Sequence, residues 1–292
     1  MRRLVLFSLV GFFAQLVDGS LGMGFGATSG SLLLMFGVAP AVVSASIHLA
    51  EVGTTAASGA SHLYFKNVDR RLAWRLLIPG AIAAFLGAAF LSSLPGHLLK
   101  PFIAAFLTAL GVYILIRFLL QARRRQDEPE QQPAYSKTFV IPLAIVGGFF
   151  DAVGGGGWGP ITTPALLAKN GATPRKVVGT VATSEFAVAV SATLGFVLFL
   201  GWEAFNLFWV LAFVLGGVFA APLAAYLVKV IPTQYMGVTV GGFIILTNLN
   251  TLLQSADFVP SEWTVPIYIV VFVLWISAVV YQWSSRRRVA NA

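Results

Sequence analysis

The chain is dominated by long apolar stretches separated by short polar or basic segments. A helix needs about 20 apolar residues to cross a bilayer. Stretches of that length fall at about 41–63, 76–94, 98–119, 177–199, 205–228, 233–254 and 263–284. Each predicts a membrane-spanning helix, so the sequence predicts an all-α polytopic membrane protein.

Four shorter apolar stretches form two pairs, and a glycine-rich segment lies inside each pair. Residues 4–17 and 25–36 flank the first segment, and 138–152 and 158–168 flank the second. Glycine in a helix costs about 1 kcal/mol relative to alanine, so these segments should interrupt the helix. Broken backbone at bilayer depth persists only inside protein or beside water. Each pair therefore predicts a broken, re-entrant helical hairpin.

The second half of the sequence repeats the spacing of the first. Asp18 and the glycines after it match Asp151 and the glycines after it, and Glu51 then matches Glu185. A shared register of glycines and acids indicates duplication. We expect an N-terminal repeat at 1–120 and a C-terminal repeat at 138–255, each a hairpin plus three spans. The polar stretch 121–137 is predicted as a linker, and 263–284 as an extra C-terminal span.

Basic residues predict the orientation of the two repeats. If each hairpin is re-entrant, so that it leaves the membrane on the side from which it entered, most Lys and Arg residues fall in loops on one side of the membrane. The positive-inside rule then makes that side cytoplasmic, with the linker and the C-terminus on it, and makes the repeats inverted.

Composition excludes several classes of protein. With 58% hydrophobic and 10% charged residues, the chain does not resemble a soluble globule, in which about a quarter of residues are charged. The net charge of +8 comes from short basic runs beside spans, so nucleic acid is not an expected partner. There is no cysteine, no P-loop and no catalytic triad pattern. We expect no enzyme activity, no cofactor and no metal site.

Four acidic residues lie within apolar segments, and they are the two matched pairs. An ionisable group in a span costs about 2.5 to 3.5 kcal/mol, and it usually faces a cavity or a transport path. No Lys or Arg is predicted at the same depth. Glu51 and Glu185 are therefore candidates for proton coupling, and the alternative for each is a protonated structural glutamate.

Asp18 and Asp151 precede the glycine breaks, where a short acid can cap the following helix. Helix N-termini near Phe25 and Trp158 would present free amide groups to an anion, and glycine would let that anion approach the backbone. The alternative is that these glycines only allow close packing. Thr180, which matches Ser46, is added to the predicted substrate contacts. Those contacts are Gly22, Gly24, Phe25, Gly26, Gly155, Gly156, Gly157, Trp158, Gly159 and Thr180.

Two histidines share a helix face with Glu51. His48 precedes it by one turn and His62 follows it by three turns, so a proton path along this face is conceivable. The second repeat has Ala182 and Phe196 at the matching positions. A symmetric relay is therefore not supported, and we expect His62 to be a lone interfacial residue.

The glycine pattern resembles the TauE/SafE family of membrane proteins, often called sulfite exporters. The residues that carry the resemblance are the stretch Gly147–Pro160, the following Pro164–Leu167 and Gly179–Thr180, and more loosely Asp18–Gly26 and Gly37–Pro40. The resemblance covers about residues 4–284. It implies transport of sulfur-containing anions such as sulfite, sulfonates or sulfoacetate across a bacterial inner membrane.

Protons, membrane lipids and a small anionic substrate are thus the expected partners of a secondary transporter. The alternative is a channel or a cation-handling membrane protein that uses the four intramembrane acids to bind Na⁺ or a metal ion. A membrane scaffold without transport is a third and weaker option.

Overall fold

The computed structural model describes residues 2–120, 134–169, 172–228, 233–255 and 260–290. Regular structure in these ranges is helical, with eleven α-helices and two single-turn 3₁₀ helices. The α-helices are α1 Arg2–Leu21, α2 Phe25–Met35, α3 Pro40–Tyr64, α4 Arg70–Ser92, α5 Gly96–Leu120, α6 Lys137–Gly154, α7 Trp158–Leu167, α8 Pro174–Phe199, α9 Leu207–Leu227, α10 Thr233–Ser255 and α11 Thr264–Ala290. Residues 121–133 of the predicted linker lie outside the described residues.

Seven of the described helices are long and apolar enough to cross a membrane. Their apolar stretches are Leu4–Leu21, Arg70–Ser92, Leu98–Leu120, Lys137–Gly154, Pro174–Phe199, Leu207–Leu227 and Thr264–Gln282. The prediction of an all-α multi-pass membrane protein is confirmed. Helix α3 is 25 residues long and falls outside this set because polar side chains interrupt its apolar sequence.

The first arm of the N-terminal hairpin is longer than predicted. The sequence suggests a half-length helix that ends near residue 17, but α1 has 20 residues and continues to Leu21. Ser20 stays within the helix because its hydroxyl donates to the carbonyl oxygens of Leu16 and Val17. The helix ends only at Gly22, whose φ of 70° is left-handed. The prediction of half-length arms is therefore wrong for α1, and also for α6, whose 18 residues Lys137–Gly154 are long enough to cross a membrane.

Both glycine breaks have the same backbone geometry at their first glycine. Gly155 also has φ 70°, and its amide donates to the carbonyl oxygen of Asp151 at 2.7 Å. The amide of Gly22 donates to the carbonyl oxygen of Asp18 at 2.6 Å. These left-handed caps end the two long arms α1 and α6, and the short helices α2 and α7 begin three residues later.

Each short helix folds back along the long helix before it. In the first hairpin the rings of Phe7 and Phe36 lie 6.1 Å apart, so the end of α2 returns to the start of α1. In the second, the hydroxyl of Tyr135 donates to the carbonyl oxygen of Leu166 at 3.1 Å. Burial, with a smaller contribution from Asp69, raises the pKa of Tyr135 to about 12, so this hydroxyl remains a donor at neutral pH.

The halves 2–120 and 134–255 exchange their long arms. Helix α1 packs along α9 of the second half, and α6 packs along α4 of the first. In the same way α3 packs along α9, and α8 packs along α4. Helices α3 and α8 meet each other at the centre, and their hairpins lie beside them. Helix α11 packs mainly on α10, and its stretch Thr264–Gln282 has no buried residue.

Candidate functional site

The two glycine breaks lie directly against each other at the centre of the molecule. A Cβ on Gly26 would lie 2.3 Å from the carbonyl oxygen of Gly155. A Cβ on Gly159 would lie 2.5 Å from the carbonyl oxygen of Gly22. The start of each short helix thus contacts the break in the other half. These backbones approach so closely because glycine has no side chain.

The predicted substrate contacts at the breaks are all buried in this conformation. Gly156 is the most confined of them, because a Cβ there would lie 2.1 Å from the amide nitrogen of Ala27. The indole of Trp158 packs near Gly80 and Gly147 and donates to the carbonyl oxygen of Val181 at 3.2 Å. Phe25 packs edge-on against Phe213. Helix packing, the alternative noted from the sequence, accounts for these contacts in the described state.

Asp18 and Asp151 both reach across their breaks to the start of the short helix. Oδ1 of Asp151 accepts a hydrogen bond from the amide of Trp158 at 2.9 Å. Oδ1 of Asp18 accepts from the amide of Phe25 at 3.4 Å. These are the contacts that a capping role requires. They also occupy the first amide group of each short helix, which the anion-binding prediction had left free.

Four carboxyl groups are buried around the breaks. Asp18, Glu51 and Asp151 are each at most 2% exposed, and Glu185 is 5% exposed. No Lys or Arg is buried within the described part of the chain. Burying several unpaired negative charges is strongly unfavourable. These carboxyl groups therefore need bound protons or another cation.

His48 lies between Glu51 and Asp151. Its Nε2 is 3.2 Å from Oδ2 of Asp151 and 3.9 Å from Oε2 of Glu51. The imidazole is fully buried and joins α3 of the first half to the break of the second. The predicted site residues do not include His48, because Ala182 stands at the matching position. The available signal was its position one turn before Glu51 on the same helix face.

The surroundings of His48 fix one of its protons. Nδ1 lies 2.8 Å from the carbonyl oxygen of Ser44, which can only accept a hydrogen bond. The hydroxyl of Ser44 donates to the carbonyl oxygen of Ala152 at 2.6 Å, so it too can only accept from Nδ1. Nδ1 therefore carries hydrogen. A hydrogen bond between Nε2 and Asp151 then requires one further proton, held by either the imidazole or the carboxyl group.

His48, Glu51 and Asp151 also offer the donor atoms that a cation would need. One ligand atom from each residue lies within 4.8 Å of the others. In a tetrahedral zinc site with bonds of about 2.1 Å, ligand atoms are about 3.4 Å apart. The 3.9 Å between His48 Nε2 and Glu51 Oε2 is longer. The 3.2 Å between His48 and Asp151 fits a hydrogen bond directly, so proton sharing needs no rearrangement.

Thr180 is not brought to the buried acids. Its hydroxyl accepts from the amide of Asp69 at 2.8 Å and donates to the carbonyl oxygen of Lys176 at 2.6 Å. Ser46 makes the equivalent contact in the other half, where it accepts from the amide of Asn206 at 3.1 Å. Asp69 and Asn206 are the N-cap residues of α4 and α9. Both hydroxyls thus hold the start of a helix.

His62 is fully buried, although the sequence suggested an interfacial residue. Its Nε2 lies 3.0 Å from the carbonyl oxygen of Gly19, and its Nδ1 lies 3.2 Å from Nδ2 of Asn67. The carbonyl can only accept and the amide nitrogen can only donate, so His62 is held as a neutral imidazole. Its burial follows from the packing of α3 along α8 and α9, with Gly19 of α1 beside the imidazole.

A bundle of apolar helices with a duplicated central break defines a multi-pass membrane protein of the transporter class. The family model described as sulfite exporter TauE/SafE matches residues 7–251. The chain is 55% identical over 282 residues to "Probable membrane transporter protein YtnM" of Bacillus subtilis, covering 96% of this chain and 93% of that protein. It is 26% identical over 227 residues to a "Probable membrane transporter protein" of Haemophilus influenzae, covering 77% of this chain and 85% of that protein.

The chain therefore belongs to the TauE/SafE family, and it is a membrane transporter. The resemblance noted from the glycine pattern is confirmed. The family and both relatives are described as transporters or exporters, in agreement with the prediction that the chain is not an enzyme.

Proposed function

We propose that the protein is a proton-coupled secondary transporter for small sulfur-containing anions, such as sulfite, sulfonates or sulfoacetate. The observation that carries this proposal is the set of four buried carboxyl groups around two helix breaks, with no buried Lys or Arg in the described residues. Such a cluster binds and releases protons as access to it changes. The anionic substrate class rests on the family and on the helix N-termini at the breaks.

Two inverted repeats are the architecture that best supports this function. Two contacts give the relative direction of α3 and α8. The ring of His48 lies 5.9 Å from that of Phe196, and a Cβ on Gly59 would lie 3.4 Å from the Cα of Thr183. Position 48 thus meets 196 whereas 59 meets 183, so the helices run antiparallel. If α3 and α8 are repeat equivalents, the repeats are inverted, as in many secondary transporters.

The substrate site we propose opens at the breaks. In the described state Gly26 and Gly159 pack against the opposite break, so an anion would gain access only when the two breaks move apart. The glycines of both breaks, with Phe25 and Trp158, would then line the opening, and the amides of the short helices would face the anion. Thr180 is the weakest member of the predicted set because its hydroxyl already has two partners.

Proton coupling at Glu51 and Glu185 is tested by sulfite flux into proteoliposomes across a range of external pH. Wild-type flux should depend on pH, and Glu51→Gln and Glu185→Gln should each flatten that dependence, because glutamine cannot exchange the proton. Glu203→Gln is the matched control, since Glu203 is exposed. Pyranine inside the vesicles reports the accompanying protons. Unchanged pH dependence in both variants would exclude the proton role.

A cation-handling protein is the second candidate, because His48, Glu51 and Asp151 could close around a cation. The two functions predict that different compounds compete with labelled sulfite for uptake. Sulfonates should reduce labelled sulfite uptake if the anion is the substrate, whereas divalent cations or Na⁺ should reduce it only if they share the site. Uptake of radioactive zinc or sodium that Asp151→Asn abolishes would favour the second candidate.

In the orientation we propose, the protein lies in the plasma membrane with a cytoplasmic C-terminus.

A further inference from the structure

A continuous stripe of polar side chains runs along one face of α3. Its members recur every three or four residues, which places them on one side of a helix. They are Ser44, His48, Glu51, Thr54, Thr55, Ser58 and His62. Each is at most 2% exposed. The stripe thus extends for about five helical turns through the interior of the protein.

Several atoms of this stripe have no hydrogen-bonding partner among the described residues. They are Oε2 of Glu51, Oγ1 of Thr54 and Oγ of Ser58. The side-chain amide of Gln15 on α1 is likewise buried, and it lies beside the carboxyl group of Asp18. Nε2 of Gln15 and Oγ of Ser58 each lie 3.6 Å from the position that a Cβ on Gly19 would take, so both border the same point.

Unpaired buried polar atoms are costly, about 1–3 kcal/mol each, and are usually served by water or a ligand. The ends of the stripe limit what that ligand is. At one end His48 shares a proton with Asp151, and at the other His62 contacts the carbonyl oxygen of Gly19. Carboxyl and hydroxyl groups in a row can each donate and accept, which is the requirement for passing protons, and the amide of Gln15 can hold water beside them. Both ring nitrogens of His62 are already engaged, so His62 marks the end of the row.

We propose that the stripe on α3, together with Gln15, is the route by which protons reach the buried acids. The route begins at the α3–α4 connection beside His62 and passes Ser58, Gln15 and Thr54 to Glu51 and the His48–Asp151 pair. Water bound to the unpaired atoms completes it. This inference rests on the proposed proton coupling and adds the residues and the direction of access.

The charges that face the route favour protons over an anion. Asp18 faces it from α1, Asp151 from α6 and Glu185 from α8, while α3 itself contributes His48, Glu51 and His62. Helices α2, α7 and α9 have no acidic or basic side chain. The described residues include no buried lysine or arginine, so along the buried part of the route, from Ser58 to Glu51, an anion would meet only acidic or neutral groups. Basic side chains occur only at the exposed start, where Lys176 donates to the carbonyl oxygens of Lys66 and Val68 in the α3–α4 connection.

The second half lacks this route. Aligning Glu185 with Glu51 places Val188, Ala192 and Phe196 where Thr54, Ser58 and His62 stand. The paired variant Thr54→Val/Ser58→Ala therefore copies side chains that the fold already accommodates in α8. Ser184→Ala is the matched control, since Ser184 lies beside Glu185 but its hydroxyl donates to its own helix at Val181, 2.9 Å away.

Infrared spectroscopy of the reconstituted protein tests the route without any substrate. The band of the protonated Glu51 carboxyl group is identified by its loss in Glu51→Gln. In the wild type this band should shift on transfer to D₂O as the carboxyl proton exchanges for deuterium. We expect Thr54→Val/Ser58→Ala to slow that shift about tenfold, equivalent to about 1.4 kcal/mol in barrier height, and Ser184→Ala to leave it unchanged. An unchanged rate in the paired variant, or no band lost in Glu51→Gln, would overturn the inference.

Sulfite flux separates this inference from the proposed function. If the paired variant slows proton exchange while pH-dependent sulfite flux is absent even in the wild type, the route exists and the proposed function fails. If flux in the wild type is coupled to protons and the paired variant exchanges normally, the proposed function stands and protons enter elsewhere. Circular dichroism and size-exclusion profiles identify variants that have misfolded.

Discussion

Helices α3 and α8 occupy equivalent places but differ in their chemistry. They have 25 and 26 residues, each carries one buried glutamate, and each packs against the long arm from the other half. Around Glu51, α3 has His48, Ser58 and His62. Around Glu185, α8 has Ala182, Ala192 and Phe196. The helix scaffold is thus matched in both halves, whereas the polar residues His48, Ser58 and His62 occur only in the first half.

This comparison separates two kinds of constraint. Positions that hold the backbone together, such as Gly26 and Gly159, are the same in both halves because both breaks must approach closely. Positions that do not bring the two breaks together, such as His48 and Ser58, are free to differ. The matched positions should respond equally to substitution, and the unmatched positions should respond only in the first half.

The largest effect should come from the breaks. Gly26→Ala and Gly159→Ala each place a methyl group within 2.5 Å of a carbonyl oxygen in the other half. We expect each to lower the free energy of unfolding by about 3 kcal/mol, because the contact is backbone and cannot rotate away. Unfolding in mixed detergent, followed by tryptophan fluorescence, measures the change.

Gly96→Ala is the control for these two variants, since the nearest atom to its Cβ would be 3.6 Å away. Its unfolding should match that of the wild type. Tolerance of alanine at only one of Gly26 and Gly159 would mean that the two breaks do not pack equivalently.

A smaller effect should come from the unmatched pair His48 and Asp151. His48→Ala leaves Oδ2 of Asp151 without its contact at 3.2 Å, and Asp151→Asn replaces the shared proton. A double-mutant cycle should give a coupling energy of about 1–2 kcal/mol, within the range for residues in contact. The same cycle between His48→Ala and Asp69→Asn, which make no contact, should be additive to about 0.5 kcal/mol. Additivity in the first cycle would contradict the proposed sharing.

The smallest effect should come from the matched hydroxyls. Ser46→Ala and Thr180→Val each remove the acceptor for the amide of an N-cap residue. We expect both to cost about 1 kcal/mol of stability, the usual loss for one such bond. The apparent affinity for sulfite, measured from uptake, should stay the same in both. A selective loss of affinity in Thr180→Val would instead establish Thr180 as a substrate contact.

Helix positions and breaks could be predicted from the sequence because their signals are local. Apolar stretches mark the spans, and Gly22 and Gly155 each end a long arm with a left-handed backbone. The length of α1 could not be predicted from hydropathy. Asp18 and Ser20 are polar, yet both continue the helix, and Ser20 does so by bonding to its own backbone.

The site was less predictable because its contacts join distant parts of the chain. His48 and Asp151 are separated by 103 residues, and no local pattern pairs them. The mismatch with Ala182 argued against His48 only under the assumption that both halves have the same chemistry. The four acids could be identified from the sequence, because ionisable residues inside apolar stretches are rare.

The contact between the breaks has a consequence for the transport cycle. At Gly156 the space beside the backbone of Ala27 is too small for a methyl group, and sulfite is larger than a methyl group. In the transport cycle proposed above, the described conformation would be closed at the breaks by backbone rather than by a movable side chain. Passage of the proposed anion through this point would therefore require the two breaks to move apart.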